Sequence, residues 1–500
     1  MKINLVFVII LKLIFISSLK LKKGTNKIKQ FEDMVEKLKK SVVMIDISSD
    51  LSFIDEHSMN SKATGFVVDA KLGIIATNRH VTRKAPTRHN IRFYDGSVQK
   101  GTVIYYDIYH DFGFIQLDFM RKENREEHEV YKYLKAVELG SSYDIKVGDD
   151  LLLIGNNEGV NYSVKKGVVT TINISDFNHY GSIIETSFDR TGGSSGSPVW
   201  NIDGKVVAIH AMGDKINSYE VPIDYLKNIL DKIIDNIEDG DKDPLKIDRG
   251  YIGVSLTIAH LFKFEGLKNS NKTSATDKEL WENLKRWQRE NKKITDSLQI
   301  ISIAKESPAE GKLFSGDVIM KINDNVVANN ILYFENVIDG SIGNELTFTV
   351  YRFGKIINVP GVKVLSTKNE KFDEFIKFSN TVIHPVNLSV KLKYPLLKLG
   401  EGLFISQVGL SSPFNEIDKS GSIILYSING IELNTLEDLK NVLKIFGDSH
   451  SVNIQAMDLR ASFPNRQTYH IDFNDSNDAY LYKFNYYKGG WDKEAIIIKP

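Results

Sequence analysis

Five hundred residues, 42% of them hydrophobic, are enough for about three domains that each bury a core. Lys+Arg and Asp+Glu number 64 each, so the formal charge is zero, and neither a basic field nor a binding motif points to nucleic acid. Cysteine is absent, which excludes disulfides, a thiol nucleophile and Cys-ligated zinc. No HExxH, P-loop or Rossmann glycine pattern implies a metal or cofactor.

The chain opens on an apolar run, Ile3 to Leu19, interrupted by Asn4, Lys12, Ser17 and Ser18 and flanked by Lys2, Lys20, Lys22 and Lys23. A positive start and an apolar core fit a secretory signal, although Ser17-Ser18 makes an indifferent cleavage site. As a membrane anchor the run is short against the ~20 residues of a span, and Lys12 is costly inside one. The reading is a signal peptide or signal-anchor over residues 1–23, hence a secretory or membrane-attached protein.

Two runs rich in Val, Ile and Phe follow, Ala63 to Asp69 and Gly73 to Val81, and read as strands joined by a turn at Ala70–Gly73. His80 comes directly after the second strand. Asp111 opens a further apolar run, Phe112 to Leu117. The segment Thr191 to Pro198 then sets Ser195 between glycines, with Gly193 two residues before and Gly196 one after. Glycine takes positive φ cheaply, so such a turn can expose a hydroxyl and free backbone N–H groups for an oxyanion. A serine nucleophile also needs a histidine base and a carboxylate to orient it. His80, Asp111 and Ser195 supply these in the order His, Asp, Ser, the order of chymotrypsin-type double barrels rather than of α/β-hydrolases or subtilisins. The oxyanion donors would be the N–H groups of Gly193 and Ser195. Rivals are weaker: His89 and His110 lack the Thr-x-x-His-Val setting, Asp107 precedes the strand start, and Ser194 and Ser197 lack the glycine pair. Arg79 reads as a surface or pairing charge.

The words ATGFVVDAKLGIIATNRHV (63–81), HDFGFIQLD (110–118) and GGSSGSPVWNIDGKVVAI (192–209) resemble the HtrA/DegP family of trypsin-like serine proteases. Within it they resemble the fungal nuclear branch of the Nma111 (Ynm3) type, which shares the doubled serine and the Ser-Pro. The likeness runs over about residues 30 to 475. It implies a mainly β protein with a trypsin-like double β-barrel (30–238) followed by two PDZ-like α+β domains (246–368 and 369–475). It implies cleavage of unfolded proteins after small or medium aliphatic P1 residues, and a homotrimer. It makes the nucleus the alternative location. That branch carries a second, degenerate half, so this chain reads as a single-unit version. The substrate pocket is expected to involve Asp189 and Arg190 before the nucleophile and His210, Ala211 and Met212 after it. A segment from Phe188 to Ser194 would be the activation-sensitive oxyanion loop. The alternative from another class is a chaperone or adaptor that captures misfolded chains without cutting.

Downstream, Ile223 to Ile234 has helical apolar spacing, and the acidic run Asn236 to Pro244 reads as a linker. Two units then repeat one layout, a strand, a Ser-Pro turn, a Gly-x-x-Ile-x-x-Ile-Asn hairpin and a helix, which resembles the PDZ domain. Such domains hold peptide C-termini by strand addition, with loop N–H groups on the carboxylate. Tyr251-Ile252-Gly253-Val254 matches that carboxylate loop in the first unit. Val382 to Val386, its counterpart in the second, has no glycine and includes Pro385, so the second unit is expected to be structural. An insertion in the first unit carries an amphipathic stretch, 277–287, with Leu280, Trp281, Leu284 and Trp287 on one side, expected to pack on that unit. Residues 476–500 read as a tail.

Overall fold

The computed structural model describes residues 29–497 except 30, 50, 52–58, 83–85, 122–124, 158–159, 176–181, 190–191, 214–216, 239–246, 261–285, 287–295, 328–329, 354, 368–372, 395–396, 398–399, 410–411, 418–420, 447–450, 474–477 and 486–489. The apolar segment 1–23 and, apart from Arg286, the stretch 277–287 lie outside the described residues.

The first barrel comprises β1 (Val42–Ser49), β2 (Met59–Asp69), β3 (Ile74–Thr77), β4 (Thr87–Arg92), β5 (Val98–Tyr106) and β6 (Gly113–Leu117). They close in the order β1-β2-β3-β6-β5-β4. Every residue of β3 and β6 is buried, as befits strands covered on both faces. The β2–β3 turn falls where the sequence places it: the Leu72 N–H donates to Asp69 Oδ1 at 2.7 Å, and Gly73 takes φ +64°.

The second barrel comprises β7 (Asp150–Asn157), β8 (Val160–Ser175), β9 (Ser182–Thr186), β10 (Pro198–Trp200), β11 (Val206–Gly213) and β12 (Ser218–Pro222), in the order β10-β11-β12-β9-β8-β7. The helix Ile223–Glu238 closes it, burying Ile223, Leu226, Ile229, Leu230 and Ile233, a stripe at helical spacing. One cluster of buried apolar side chains runs from both barrels through this helix into the next unit.

That unit contains β13 (Gly250–Tyr251), β14 (Val254–His260), β15 (Asp296–Ile303), β16 (Val318–Ile322), β17 (Asn325–Val326), the helix Ile331–Asp339, β18 (Glu345–Arg352), β19 (Lys355–Lys363) and β20 (Leu365–Ser366). Its sheet runs β14-β15-β16-β18-β19, and among the described residues no strand pairs with the outer edge of β14.

The last unit repeats this order as β22-β23-β24-β26-β27, built from β22 (Thr381–Pro385), β23 (Leu403–Gln407), β24 (Ile423–Ile428), β26 (Ser451–Asp458) and β27 (Gln467–Asp472). The short β25 (Ile431–Glu432) and the helix Leu436–Phe446 stand where β17 and Ile331–Asp339 stand in the first unit. Here the outer edge is filled. β21 (Glu374–Phe378) turns through Ser379 and Asn380, both at positive φ, and pairs antiparallel with β22. β28 (Ala479–Asn485) and β29 (Gly490–Ile497) extend the sheet beyond β21. Two expectations are thereby corrected. Val382 to Pro385 is strand rather than carboxylate loop, because β22 pairs with a strand on each side and Val382, Ile383 and His384 are all buried. Most of 476–500 is not a tail, because β28 pairs with β21 and β29 with β28.

Candidate active site

The histidine and aspartate are brought together by two short segments that hold each other. Asn78 O accepts from the Val81 and Thr82 N–H groups at 3.2 and 3.1 Å, which winds Arg79–Thr82 into a single helical turn. Its side chain then crosses to the next segment, Nδ2 donating to Asp111 O at 2.9 Å. Arg79 reaches the same segment through Ile108 O at 3.1 Å, so it is a tether rather than a free surface charge. Within this clasp the His80 Nδ1 lies 2.8 Å from Asp111 Oδ2, and the His80 N–H donates to Asp111 Oδ1 at 3.1 Å. A carboxylate only accepts, so Nδ1 carries the proton and Nε2 keeps its lone pair. Asp111 is buried, whereas the His80 side chain is 45% exposed and open to a substrate.

Ser195 sits on a tight turn closed by the Ser197 N–H on Ser194 O at 3.0 Å. Gly193 and Gly196 take φ of +88° and +84°. A Cβ on Gly196 would overlap Thr64 O and Thr77 Oγ1, so glycine is required by space as well as by φ. Ser194 and Ser197 are buried, and Ser197 Oγ is spent on Ser194 O at 2.6 Å. Only Ser195 of the three is part-exposed. Its hydroxyl donates to Ala211 O at 3.4 Å and makes no hydrogen bond to His80. Neither the Gly193 nor the Ser195 N–H donates to another described residue.

Thr64, not anticipated from sequence, ties this turn to the first barrel. Its N–H donates to Ser195 O at 2.8 Å and its hydroxyl to Gly193 O at 2.8 Å, while Thr77 Oγ1 donates to Thr64 O at 2.7 Å. The nucleophile turn and the strand leading to His80 are thus joined through one buried residue. The only sequence signal is a threonine beside the apolar run Phe66 to Val68 of β2.

Of the pocket residues, His210, Ala211 and Met212 lie on β11 beside this turn, the Gly196 N–H donating to His210 O at 2.9 Å. Asp189 is exposed, with its carbonyl taking the Lys165 ammonium at 2.7 Å. Arg190 lies outside the described residues. The rival groups have structural partners: His89 Nε2 is 3.0 Å from Val81 O, and His110 Nε2 is 2.7 Å from Glu335 Oε1.

Residues 63–209 match the trypsin-like peptidase domain and residues 250–364 the PDZ domain. The chain thus contains a trypsin-like peptidase domain followed by a PDZ domain. Similar proteins include the "Pro-apoptotic serine protease NMA111" of Candida glabrata, 28% identical over 93% of this chain and 45% of its own length. That of Kluyveromyces lactis is 28% identical over 94% of this chain and 46% of its own. The chain therefore spans about half the length of these relatives. Among solved structures, "HtrA-type protease AlgW with tripeptide" is 20% identical with a TM-score of 0.47, covering 67% of this chain and 97% of that chain. The "serine endoprotease from Yersinia pestis" is 16% identical with a TM-score of 0.41, again covering 67% and 97%. Among the described residues no helix is long and apolar enough to cross a membrane.

In the PDZ domain, Tyr251 to Val254 curls through Gly253 at φ +82°, where a Cβ would collide with Ser307. Between β14 and the helix Ile331–Asp339 lies a groove lined by Ile252, Val254, Leu256, Ile331, Phe334 and Ile338. The peptidase domain supplies part of its wall: Tyr109 also lines it, its hydroxyl donating to Gly250 O at 2.6 Å. Beneath the groove Arg249, 3% exposed in its side chain, pairs with Asp107, with Glu335 at 2.9 Å and with Asp339 at 2.9 Å. Burial works to raise the Asp107 carboxyl, but Arg249, His110 and the Tyr105 hydroxyl outweigh it and hold it below the usual value. Asp339 is pushed up by burial, which Arg249 and the Gly250 N–H offset only in part. Asp107 stands four residues before Asp111, so the cluster anchors the peptidase loop that carries the aspartate against the PDZ helix.

Proposed function

We propose that the chain is a serine endopeptidase acting on extended segments of unfolded proteins. The observation that carries this reading is the His80–Asp111 pair together with a glycine-framed, part-exposed Ser195 whose turn Thr64 ties to the strand leading to His80. In the reaction the Ser195 hydroxyl turns from Ala211 to His80 and attacks the peptide carbonyl, its proton passing to Nε2. Asp111 holds the imidazole in the accepting tautomer and stabilises the imidazolium. The Gly193 and Ser195 N–H groups take the oxyanion. The C–N bond then breaks, His80 protonates the departing amine, and water repeats the sequence to release the acid. Degradation of unfolded casein by the purified chain, with labelling of Ser195 by a fluorophosphonate, tests the proposal. Intact casein and an unlabelled serine would sink it.

The PDZ domain is proposed to take peptide C-termini by strand addition along β14, with which no described strand pairs on its outer side, the Ile252 to Val254 turn holding the carboxylate. The last unit is proposed not to do so, since β21 already occupies the matching edge. In the full chain with Ser195→Ala, a peptide with an apolar free C-terminus should bind at least about tenfold tighter than its amide, the worth of hydrogen bonds to a charged group. Gly253→Ala should erase that difference, because the turn cannot accept a Cβ. Equal affinity for acid and amide in the unsubstituted loop would refute carboxylate recognition.

A further inference from the structure

Within the second barrel Thr186, His210, Ser218 and Glu220 form one buried polar cluster, each 2% exposed or less. They cluster because β9, β11 and β12 are neighbours, His210 standing opposite Glu220 and Ser218 opposite Thr186. Glu220 Oε1 accepts from Thr186 Oγ1 at 2.7 Å and Ser218 Oγ at 2.8 Å, and Oε2 lies 2.9 Å from His210 Nδ1. The carboxylate is thus satisfied and fixes the imidazole from one side. Ser218 Oγ also lies 3.1 Å from Nδ1. All these partners fall on Nδ1, and Nε2 has none among the described residues.

The place of the cluster matters. His210 precedes Ala211, whose carbonyl takes the Ser195 hydroxyl, and its own carbonyl holds the Gly196 N–H. Ile209 and Ala211 join one apolar cluster, so His210, between them on the strand, points the other way, towards Glu220. From Thr186 the chain runs directly through Ser187–Asp189 towards the nucleophile turn. A substrate residue with its carbonyl at Ser195 and its N–H at Ala211 O would send its side chain into the space floored by this cluster.

We infer that His210 reads the P1 side chain through Nε2 and that the pocket selects glutamine. This rests on the peptidase reading above. An aliphatic P1 would leave a buried imidazole nitrogen without a partner. A P1 carboxylate would put a second buried negative charge beside Glu220. A glutamine amide adds no charge and offers both an acceptor and a donor, so it suits Nε2 in either protonation state. The inference departs from the aliphatic P1 preference that the family resemblance implies.

The test uses the full chain and peptides identical except for Gln, Glu, Leu or Val at P1. Glutamine should exceed leucine in kcat/KM by at least about tenfold, as for sites built to hydrogen-bond their substrate. Replacing both members of the pair, His210→Leu with Glu220→Leu, gives an apolar floor of similar volume without stranding a charge. In that variant the ratio should fall below one while fluorophosphonate still labels Ser195. Preferred cleavage after leucine or valine by the unsubstituted protein overturns the inference and leaves the peptidase reading standing. Persistence of the glutamine preference in the double variant also overturns it, as does labelling of Ser195 without hydrolysis of any peptide. Absence of both labelling and hydrolysis removes the peptidase reading and the inference with it.

Discussion

Ser195→Ala should lower the degradation of unfolded casein by roughly 10⁴-fold or more, since removing the nucleophile of a working triad leaves only binding and oxyanion contributions. The fold should be unaffected, because the Ser195 hydroxyl makes a single long hydrogen bond, to Ala211 O at 3.4 Å. Its neighbours provide the contrast. Ser197→Ala loses an internal bond to Ser194 O and should act mainly on the stability of the turn. Ser194→Ala alters a buried side chain and should cost far less activity than Ser195→Ala. Turnover by each variant, measured beside its thermal unfolding, separates the two effects. An active Ser195 variant with a dead Ser194 variant would move the nucleophile by one residue.

The local features of this site were legible because each is a short motif with one physical purpose. A histidine after a buried strand, an aspartate opening another and a serine between positive-φ glycines can be read without knowing what they touch. The packing that aligns them was not legible. Thr64 joins the nucleophile turn to β3 through contacts with Gly193, Ser195 and Thr77, and nothing in Ala63-Thr64-Gly65 announces three such partners. In the sequence Asp107 stands out only as a rival to Asp111. Its partner Arg249 lies far along the chain, and the charge of each looks ordinary in sequence. The place of His210 after the nucleophile marks it as a pocket residue, but its pairing with Glu220 depends on the register of β11 against β12. In the last unit the missing glycine led to a loop where there is a strand. The edge of β22 is filled by β21 across the short Ser379-Asn380 turn, and β21 is in turn held by β28, about a hundred residues on, a pairing that leaves no local mark.

Arg249→Met should destabilise the protein by about 3–5 kcal/mol, the usual cost of breaking a buried ion pair by removing one partner. The guanidinium is the shared counter-charge of Asp107, Glu335 and Asp339, all at least nine-tenths buried in their side chains, and methionine offers them nothing. The sign of the pH dependence follows from the same groups. In the unsubstituted protein Asp107 titrates below its usual value, so its contribution is present above the unfolded carboxyl's ~3.9 and is lost as pH falls through the lower folded value. Without Arg249 burial dominates, and the Asp107 and Asp339 carboxyls should titrate above their unfolded values. Their ionisation then opposes folding, so the variant's deficit should be greater at pH 8 than at pH 5. Urea unfolding at the two pH values checks this. Lys205→Met, which removes the exposed pair with Glu138, should leave the transition in place and serves as the control. Activity should fall as well, beyond the unfolded fraction, because the 107–111 segment that positions Asp111 loses its anchor on the PDZ helix. An Arg249 variant with unchanged unfolding at both pH values would mean that the cluster holds neither the domains nor the loop.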